Sequence, residues 1–246
     1  MNTKSAILCI FEGESREPKY FKTIQSHYFD KSSILLCSYG NDIYELFREI
    51  DADQDLDIVE LLRETKNVPA NKKILEPYSR DDFNQVFLFF DFEYQDNHFD
   101  VNMLGLMISI FNEETESGKL FVSYPMVEAI RDVPSIDEYI DHKVSLANCT
   151  GRLYKPLSAK GLREFQDPRK ITKENWDKLI EINILKANFI VSNNRSDNTS
   201  HPIQSVILSK QSEMMNSTEF VYVLSSFPLF IFHQKSSQLA FLKGRA

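Results

Sequence analysis

Three acidic residues follow directly after two largely apolar stretches of the sequence. Glu12 comes after residues 7–11, and Asp91 and Glu93 come after residues 85–90. If both stretches are strands of a parallel sheet, their carboxyl ends meet at one edge of that sheet, and residues two apart on an extended strand point to the same side. Clustered carboxylate oxygens are the ligands that hard cations prefer. The spacing therefore predicts a site for one or two Mg²⁺ or Mn²⁺ ions at Glu12, Asp91 and Glu93.

The residues that follow Glu12 are also compatible with a simpler interpretation. Glu14 and Glu17 lie just before Pro18, which suits the first turn of a helix, and acidic residues there complement the helix dipole. Gly13 permits a close backbone approach or a positive φ, and Lys19 could donate a charge-assisted hydrogen bond to a phosphate. Spacing alone leaves two interpretations open: a metal site, or a capped helix with acids at the surface.

The apolar patterns predict the elements that would position these residues. Strands are predicted at residues 5–11, 33–38, 85–90 and 120–123, with helices beginning near residues 18, 43, 58 and 103. This alternation predicts an α/β fold with a Rossmann-like parallel sheet of about four strands covered by helices. Helical patterns then prevail at residues 135–146, 173–192 and 203–215, before the apolar stretch 220–232. We therefore predict an α/β domain at residues 1–131 and a mainly helical C-terminal extension packed on it at residues 132–246.

The composition is that of a globular protein in a reducing compartment. With 246 residues, 42% of them hydrophobic, the chain is long enough to bury a core. Its three cysteines, Cys9, Cys37 and Cys149, are odd in number and scattered, which fits neither a disulfide framework nor a zinc site. The N-terminus lacks a secretory signal pattern, and every apolar stretch is shorter than the roughly 20 residues that a membrane span needs. We expect a cytoplasmic protein without a membrane anchor.

Acidic and basic residues are segregated along the chain. The net charge is −8, but residues 151–178 hold eight Lys or Arg against four acids, whereas residues 41–100 hold sixteen acids against six bases. Lys and Arg bind nucleic acids by displacing counterions from phosphates, so the basic segment predicts a nucleic-acid surface; a solvated helix face is the alternative. The candidate contacts are Arg152, Lys155, Lys160, Arg163, Arg169 and Lys170.

The stretch at residues 12–21, E-G-E-S-R-E-P-K-Y-F, resembles the opening motif of the RloB-like branch of the Toprim superfamily, the catalytic fold of topoisomerases and DnaG-type primases. Asp91-Phe92-Glu93 stands where that family carries an Asp-x-Asp pair after a strand, and residues 123–128, S-Y-P-M-V-E, resemble its serine, proline and glutamate motif. The likeness covers about residues 5–131. It implies a Toprim-like catalytic domain there.

The resemblance also implies roles for individual residues. Glu12 would be a general acid/base or a metal ligand, Asp91 and Glu93 would be metal ligands, and Glu128 would be an auxiliary acid. Glu93 departs from the usual aspartate, which makes Asp96, in the loop after it, a substitute ligand to consider. The implied activity is Mg²⁺-dependent cleavage of phosphodiester bonds.

The biological setting is implied only by the resemblance. Small Toprim proteins of this branch are common in prokaryotic antiviral defence of the abortive-infection type, often with an ABC-type ATPase partner, and some attack tRNA. The chain itself lacks a Walker-type phosphate loop, so a partner would supply any ATP hydrolysis. The sequence leaves open DNA or RNA as substrate, the oligomeric state, and a non-catalytic regulatory subunit as the alternative function.

Overall fold

A computed structural model of the protein describes residues 6–29, 34–53, 55–239 and 242. The strands are β1 (Ala6–Phe11), β2 (Ile34–Ser38), β3 (Phe83–Asp91), β4 (Asn112–Glu113), β5 (Gly118–Ser123), β6 (Lys143–Ser145) and β7 (Phe220–Tyr222). The helices are α1 (Glu17–Tyr28), α2 (Ile43–Ala52), α3 (Ile58–Glu64), α4 (Ala70–Leu75), α5 (Val101–Ile110), α6 (Gly151–Ser158), α7 (Lys173–Ser192), α8 (Gln204–Thr218) and α9 (Ser226–Lys235). The protein is therefore an α/β protein with a helical C-terminal region, as predicted.

A five-stranded, mainly parallel sheet with the order β2-β1-β3-β5-β4 forms the framework. Strand β1 is parallel to both of its neighbours, and Phe11 near its end is opposite Ser38 of β2 and Phe89 of β3. The predicted parallel sheet is confirmed. The fifth strand was not predicted, because β4 has only two residues and pairs with β5 as a short antiparallel hairpin.

The central strands form because they are apolar on both faces. The last four residues of β1 and the residues from Val86 to Phe90 of β3 are all buried, which is the pattern of strands covered by helices on both sides. The ring of Phe11 lies 5.4 Å from the rings of Phe21 on α1 and Phe89 on β3. These aromatic contacts hold α1 against the ends of β1 and β3, where the predicted acidic residues follow.

The contacts within the chain divide it into two compact units. The first comprises the described residues up to Phe90 together with Asn102–Leu120, and the second comprises Asp91–Val101 together with the described residues from Phe121 onward. The division at residue 131 into a catalytic domain and an extension stays a prediction.

The second unit contains the largest departure from the predicted elements. The helix predicted at residues 135–146 is wrong: the chain there forms a short 3₁₀ turn at Tyr139–Asp141 and then β6, which pairs antiparallel with β7. The apolar stretch 220–232 supplies β7 and most of α9, whose residues from Ser226 to Phe232 are buried. Phe230 lies 5.9 Å from Phe121 of β5, ring to ring, so α9 contacts β5 within the second unit.

A fully buried lysine ties α7 to the 3₁₀ turn. The Lys186 ammonium group donates hydrogen bonds of 2.8 Å to the Tyr139 carbonyl and 2.6 Å to the His142 carbonyl. It also lies 4.2 Å from the centre of the Tyr139 ring. Burial holds the pKa of Lys186 well below its usual range, although the nearby Asp132 carboxylate favours the charged form.

No helix in the described part of the chain combines the length and the apolar character needed to cross a membrane.

Candidate metal centre

The ends of β1 and β3 bring the three predicted acidic residues together. The Glu12 N–H donates to the Phe89 carbonyl at 3.1 Å, so Glu12 stays bonded to β3 one residue beyond β1, and Asp91 is the last residue of β3. One carboxylate oxygen each from Glu12, Asp91 and Glu93 lie within 4.8 Å of one another. Asp91 is 8% exposed, and the other two are half-buried. Among the described residues this is the only cluster of three or more such groups.

Glu93 adopts a backbone conformation that its residue type disfavours. Its φ is +45°, in the left-handed region that costs a residue with a Cβ about 1 kcal/mol or more. Its N–H donates to the Pro125 carbonyl at 3.4 Å, and its own carbonyl accepts the Asp96 N–H at 2.9 Å. Such strain persists only where the surroundings enforce it and is frequent at functional sites.

We expect Glu93→Gly to stabilise the protein in EDTA while it weakens metal binding. Glycine adopts a positive φ without a steric cost, and the substitution removes one of three neighbouring negative charges. The free energy of unfolding should rise by about 1 kcal/mol, whereas Mn²⁺ affinity should fall at least tenfold. Urea denaturation and a Mn²⁺ titration measure the two effects.

Glu219→Gly is the matched control for this substitution. Glu219 has a φ of +59° at the end of α8, where it is exposed. Its replacement should bring a similar gain in stability and leave Mn²⁺ affinity unchanged. A loss of stability in Glu93→Gly beside a gain in Glu219→Gly would contradict the expectation.

The other predicted acidic and basic residues near the motifs lie outside the cluster. Asp96 accepts a 2.7 Å hydrogen bond from the His98 N–H, and its carboxylate lies 3.3 Å from the His98 ring. Glu128 is 1% exposed, with an oxygen 3.9 Å from the Lys155 ammonium group. Lys19 is exposed in the first turn of α1. Their auxiliary roles stay predictions.

The six basic residues predicted to contact nucleic acid are all exposed in the second unit. Arg169 forms two 3.0 Å hydrogen bonds with Asp167, which lowers the pKa of that carboxyl to about 2, and Lys170 lies 3.8 Å from the same group. Within the described residues no ion pair involves Arg152, Lys160 or Arg163. These three cations are the most readily available to an incoming phosphate.

Comparison with family models, with curated proteins and with solved structures finds no match to the chain. The resemblance to the Toprim superfamily therefore stays a prediction that depends on the residues quoted for it.

Glu17 has a different environment from the one its sequence position indicates. It begins α1 but is 7% exposed, and a Cβ placed on Gly13 would lie 3.1 Å from both of its carboxylate oxygens. Gly13 thus serves a close approach, not a positive φ. No sequence pattern distinguishes this buried carboxylate from the exposed Glu14.

Proposed function

We propose that the protein is a Mg²⁺- or Mn²⁺-dependent nuclease that cleaves phosphodiester bonds in DNA or RNA. The observation that carries the proposal is the convergence of oxygens from Glu12, Asp91 and Glu93 within 4.8 Å at the ends of two neighbouring strands. Three carboxylates at this spacing repel one another, and a divalent cation removes that repulsion.

The residues present fit such a cation. All three donors are carboxylate oxygens, the ligands that Mg²⁺ and Mn²⁺ prefer over nitrogen and sulfur. When bound, the metal would polarise a phosphate and lower the pKa of an attacking water. Buried Asp91 suits a permanent ligand, and half-buried Glu12 suits either a ligand or the group that accepts a proton from water.

The exposed basic residues support a nucleic-acid substrate. Arg152, Lys160 and Arg163 project cationic groups that can contact phosphates without breaking an ion pair within the described residues. A net charge of −8 by itself disfavours binding to nucleic acid. Affinity for phosphates, however, depends on the local density of Lys and Arg.

The proposed setting is antiviral defence, with tRNA as one candidate substrate and an ABC-type ATPase as a controlling partner. The resemblance of residues 12–21 and 123–128 to the RloB-like branch supports this setting. A separate ATPase is proposed because the chain carries no phosphate loop of its own.

The direct test is a cleavage assay of the purified chain on DNA, tRNA and unstructured RNA, with Mg²⁺, Mn²⁺ or EDTA. We expect cleavage with Mg²⁺ or Mn²⁺ and none in EDTA. Asp91→Asn should lower both the cleavage rate and the Mn²⁺ affinity by at least tenfold, because it removes the most buried charged ligand of the cluster.

Metal binding separates this function from its alternative. If the wild type binds no Mn²⁺ at the cluster and Asp91→Asn keeps full biological activity in cells, the protein is better described as a non-catalytic regulatory subunit. Cleavage that continues unchanged in EDTA would also refute a metal-dependent nuclease.

A further inference from the structure

The backbone of Glu12 is hydrogen-bonded on both sides beyond the end of β1. Its N–H donates to the Phe89 carbonyl of β3 at 3.1 Å, and its carbonyl accepts the Gly40 N–H, from the loop after β2, at 2.9 Å. The Glu12 backbone is therefore held between the two neighbouring strands, although the regular strand ends at Phe11.

Two buried polar side chains form further hydrogen bonds beside those of the Glu12 backbone. The Ser38 hydroxyl donates to the Gly13 carbonyl at 2.9 Å, and the Asn71 amide of α4 donates to the Ser38 carbonyl at 2.7 Å. Ser38 is 7% exposed and Asn71 is 1% exposed. Burial of such groups costs free energy unless they are hydrogen-bonded. Ser38 donates to the residue that follows Glu12, and Asn71 donates to the backbone of Ser38.

The loop that bonds Glu12 also requires its glycine. Gly40 has a φ of +78°, and a Cβ at this position would lie 2.5 Å from a methyl carbon of Val68. A larger residue would have to move the loop away from Val68 or displace Val68. Either change would shift the Gly40 N–H that meets the Glu12 carbonyl.

We propose that Ser38, Gly40 and Asn71 are positioning residues that fix the Glu12 carboxylate for metal binding. We call them the Glu12 clamp. The inference rests on the proposed function, because it assigns the clamp to the same cluster. Groups that orient a ligand from behind commonly change metal affinity or activity by 10–100-fold when they are removed.

The test is Ser38→Ala, with Mn²⁺ affinity measured by electron paramagnetic resonance and cleavage measured as separate kcat and KM. We expect a loss of about tenfold in Mn²⁺ affinity and in kcat, with KM for the nucleic acid unchanged. Ser38→Thr keeps the hydroxyl and should recover most of the Mn²⁺ affinity. Asn71→Ala should act in the same direction.

A matched control removes a buried serine hydroxyl elsewhere. Ser158 is 0% exposed, and its hydroxyl donates to the Lys155 carbonyl at 3.0 Å. Ser158→Ala should cost a similar amount of stability and leave Mn²⁺ affinity unchanged. A second comparison places Ser38→Ala in a Glu12→Asp background, where it should cause less further loss of Mn²⁺ affinity than in the wild type, because both changes act on one ligand.

The outcomes separate the two proposals. Wild-type Mn²⁺ affinity in Ser38→Ala, or the same loss in Ser158→Ala, overturns the clamp while metal binding by the wild type leaves the proposed function standing. A wild type that binds no Mn²⁺ overturns both.

Discussion

Replacing Glu12 by glutamine is expected to lower the rate of metal-dependent cleavage by about 10³-fold. The substitution keeps the size of the side chain but removes both a negative charge and a proton acceptor from the cluster. Loss of a general acid or base typically costs 10²–10⁴-fold in rate, and loss of a ligand also weakens metal binding. KM for the nucleic acid should change little, because the substitution does not touch the exposed basic residues.

The same substitution should change stability in opposite directions with and without metal. In EDTA, wild type holds three carboxylates with oxygens within 4.8 Å, and each pair at that distance repels by about 1 kcal/mol even with the screening of water. Glu12→Gln should therefore melt at the same temperature as wild type or higher. With Mn²⁺ the order should reverse, because only wild type gains binding free energy.

Glu14→Gln is the matched control. Glu14 is two residues away and exposed, so its replacement removes a charge from the same loop without touching the cluster. Its cleavage rate and its melting temperature in Mn²⁺ should equal those of wild type. If Glu12→Gln cleaves as fast as Glu14→Gln, Glu12 has no part in catalysis.

The second large effect is a loss of stability at alkaline pH that arises from the three free thiols. Cys9, Cys37 and Cys149 are at most 3% exposed. Burial raises the pKa of Cys37 and of Cys149 to about 12 and raises the pKa of Cys9 well above its ordinary value. An unfolded thiol titrates near pH 8.5.

The direction of this pH dependence follows from the number of protons that the folded and unfolded chains bind. Above about pH 8.5 the unfolded chain releases thiol protons that the folded chain keeps, so the contribution of the thiols to the free energy of unfolding falls as pH rises, up to about pH 12. Each thiol contributes about 1.4 kcal/mol per pH unit in this window. Lys186 acts in the opposite direction. Because its pKa is lowered in the folded chain, the unfolded chain binds a proton at Lys186 that the folded chain has lost, so the contribution of Lys186 to stability rises with pH up to about pH 10.

A single variant isolates the thiol contribution from that of Lys186. Cys37→Ala should show a smaller decrease in the free energy of unfolding between pH 9 and 10 than wild type does, by about 1 kcal/mol. Urea denaturation in the presence of a reductant measures the difference, and Cys149→Ala should behave alike. Parallel curves for wild type and both variants would mean that the thiols ionise as freely in the folded chain as in the unfolded one.

Local sequence patterns were sufficient to predict the elements that are stabilised by nearby residues or are completely buried. The apolar runs of β1 and β3 predicted buried parallel strands. The helix predicted to begin near residue 43 is α2, and the Asp42 side chain at its start accepts hydrogen bonds from the N–H groups of Tyr44 and Glu45. The convergence of Glu12, Asp91 and Glu93 was predictable as well, because parallel strands end at a common edge.

The elements that the sequence did not predict pair with distant segments of the chain or contain residue types that normally argue against them. Strand β6 pairs with β7, more than 70 residues away, and nothing within residues 135–146 indicates that partner. Helix α6 contains Pro156 and begins at Gly151, two residue types that normally argue against a helix. Ser38 and Asn71 are ordinary polar residues in the sequence, and only the fold shows that Ser38 bonds to the Gly13 carbonyl and that Asn71 bonds to Ser38.

The contacts of the second unit limit how far the protein can be shortened. Asp91 and Glu93 belong to the same compact unit as the C-terminal residues. In that unit the Tyr124 N–H and carbonyl bond to Leu224, and the Ser123 hydroxyl lies 2.8 Å from that of Ser226. A fragment that ends at residue 131 would keep all three candidate ligands in its sequence but lose these partners. Asp91 and Glu93 thus share a compact unit with segments more than 100 residues further along the chain.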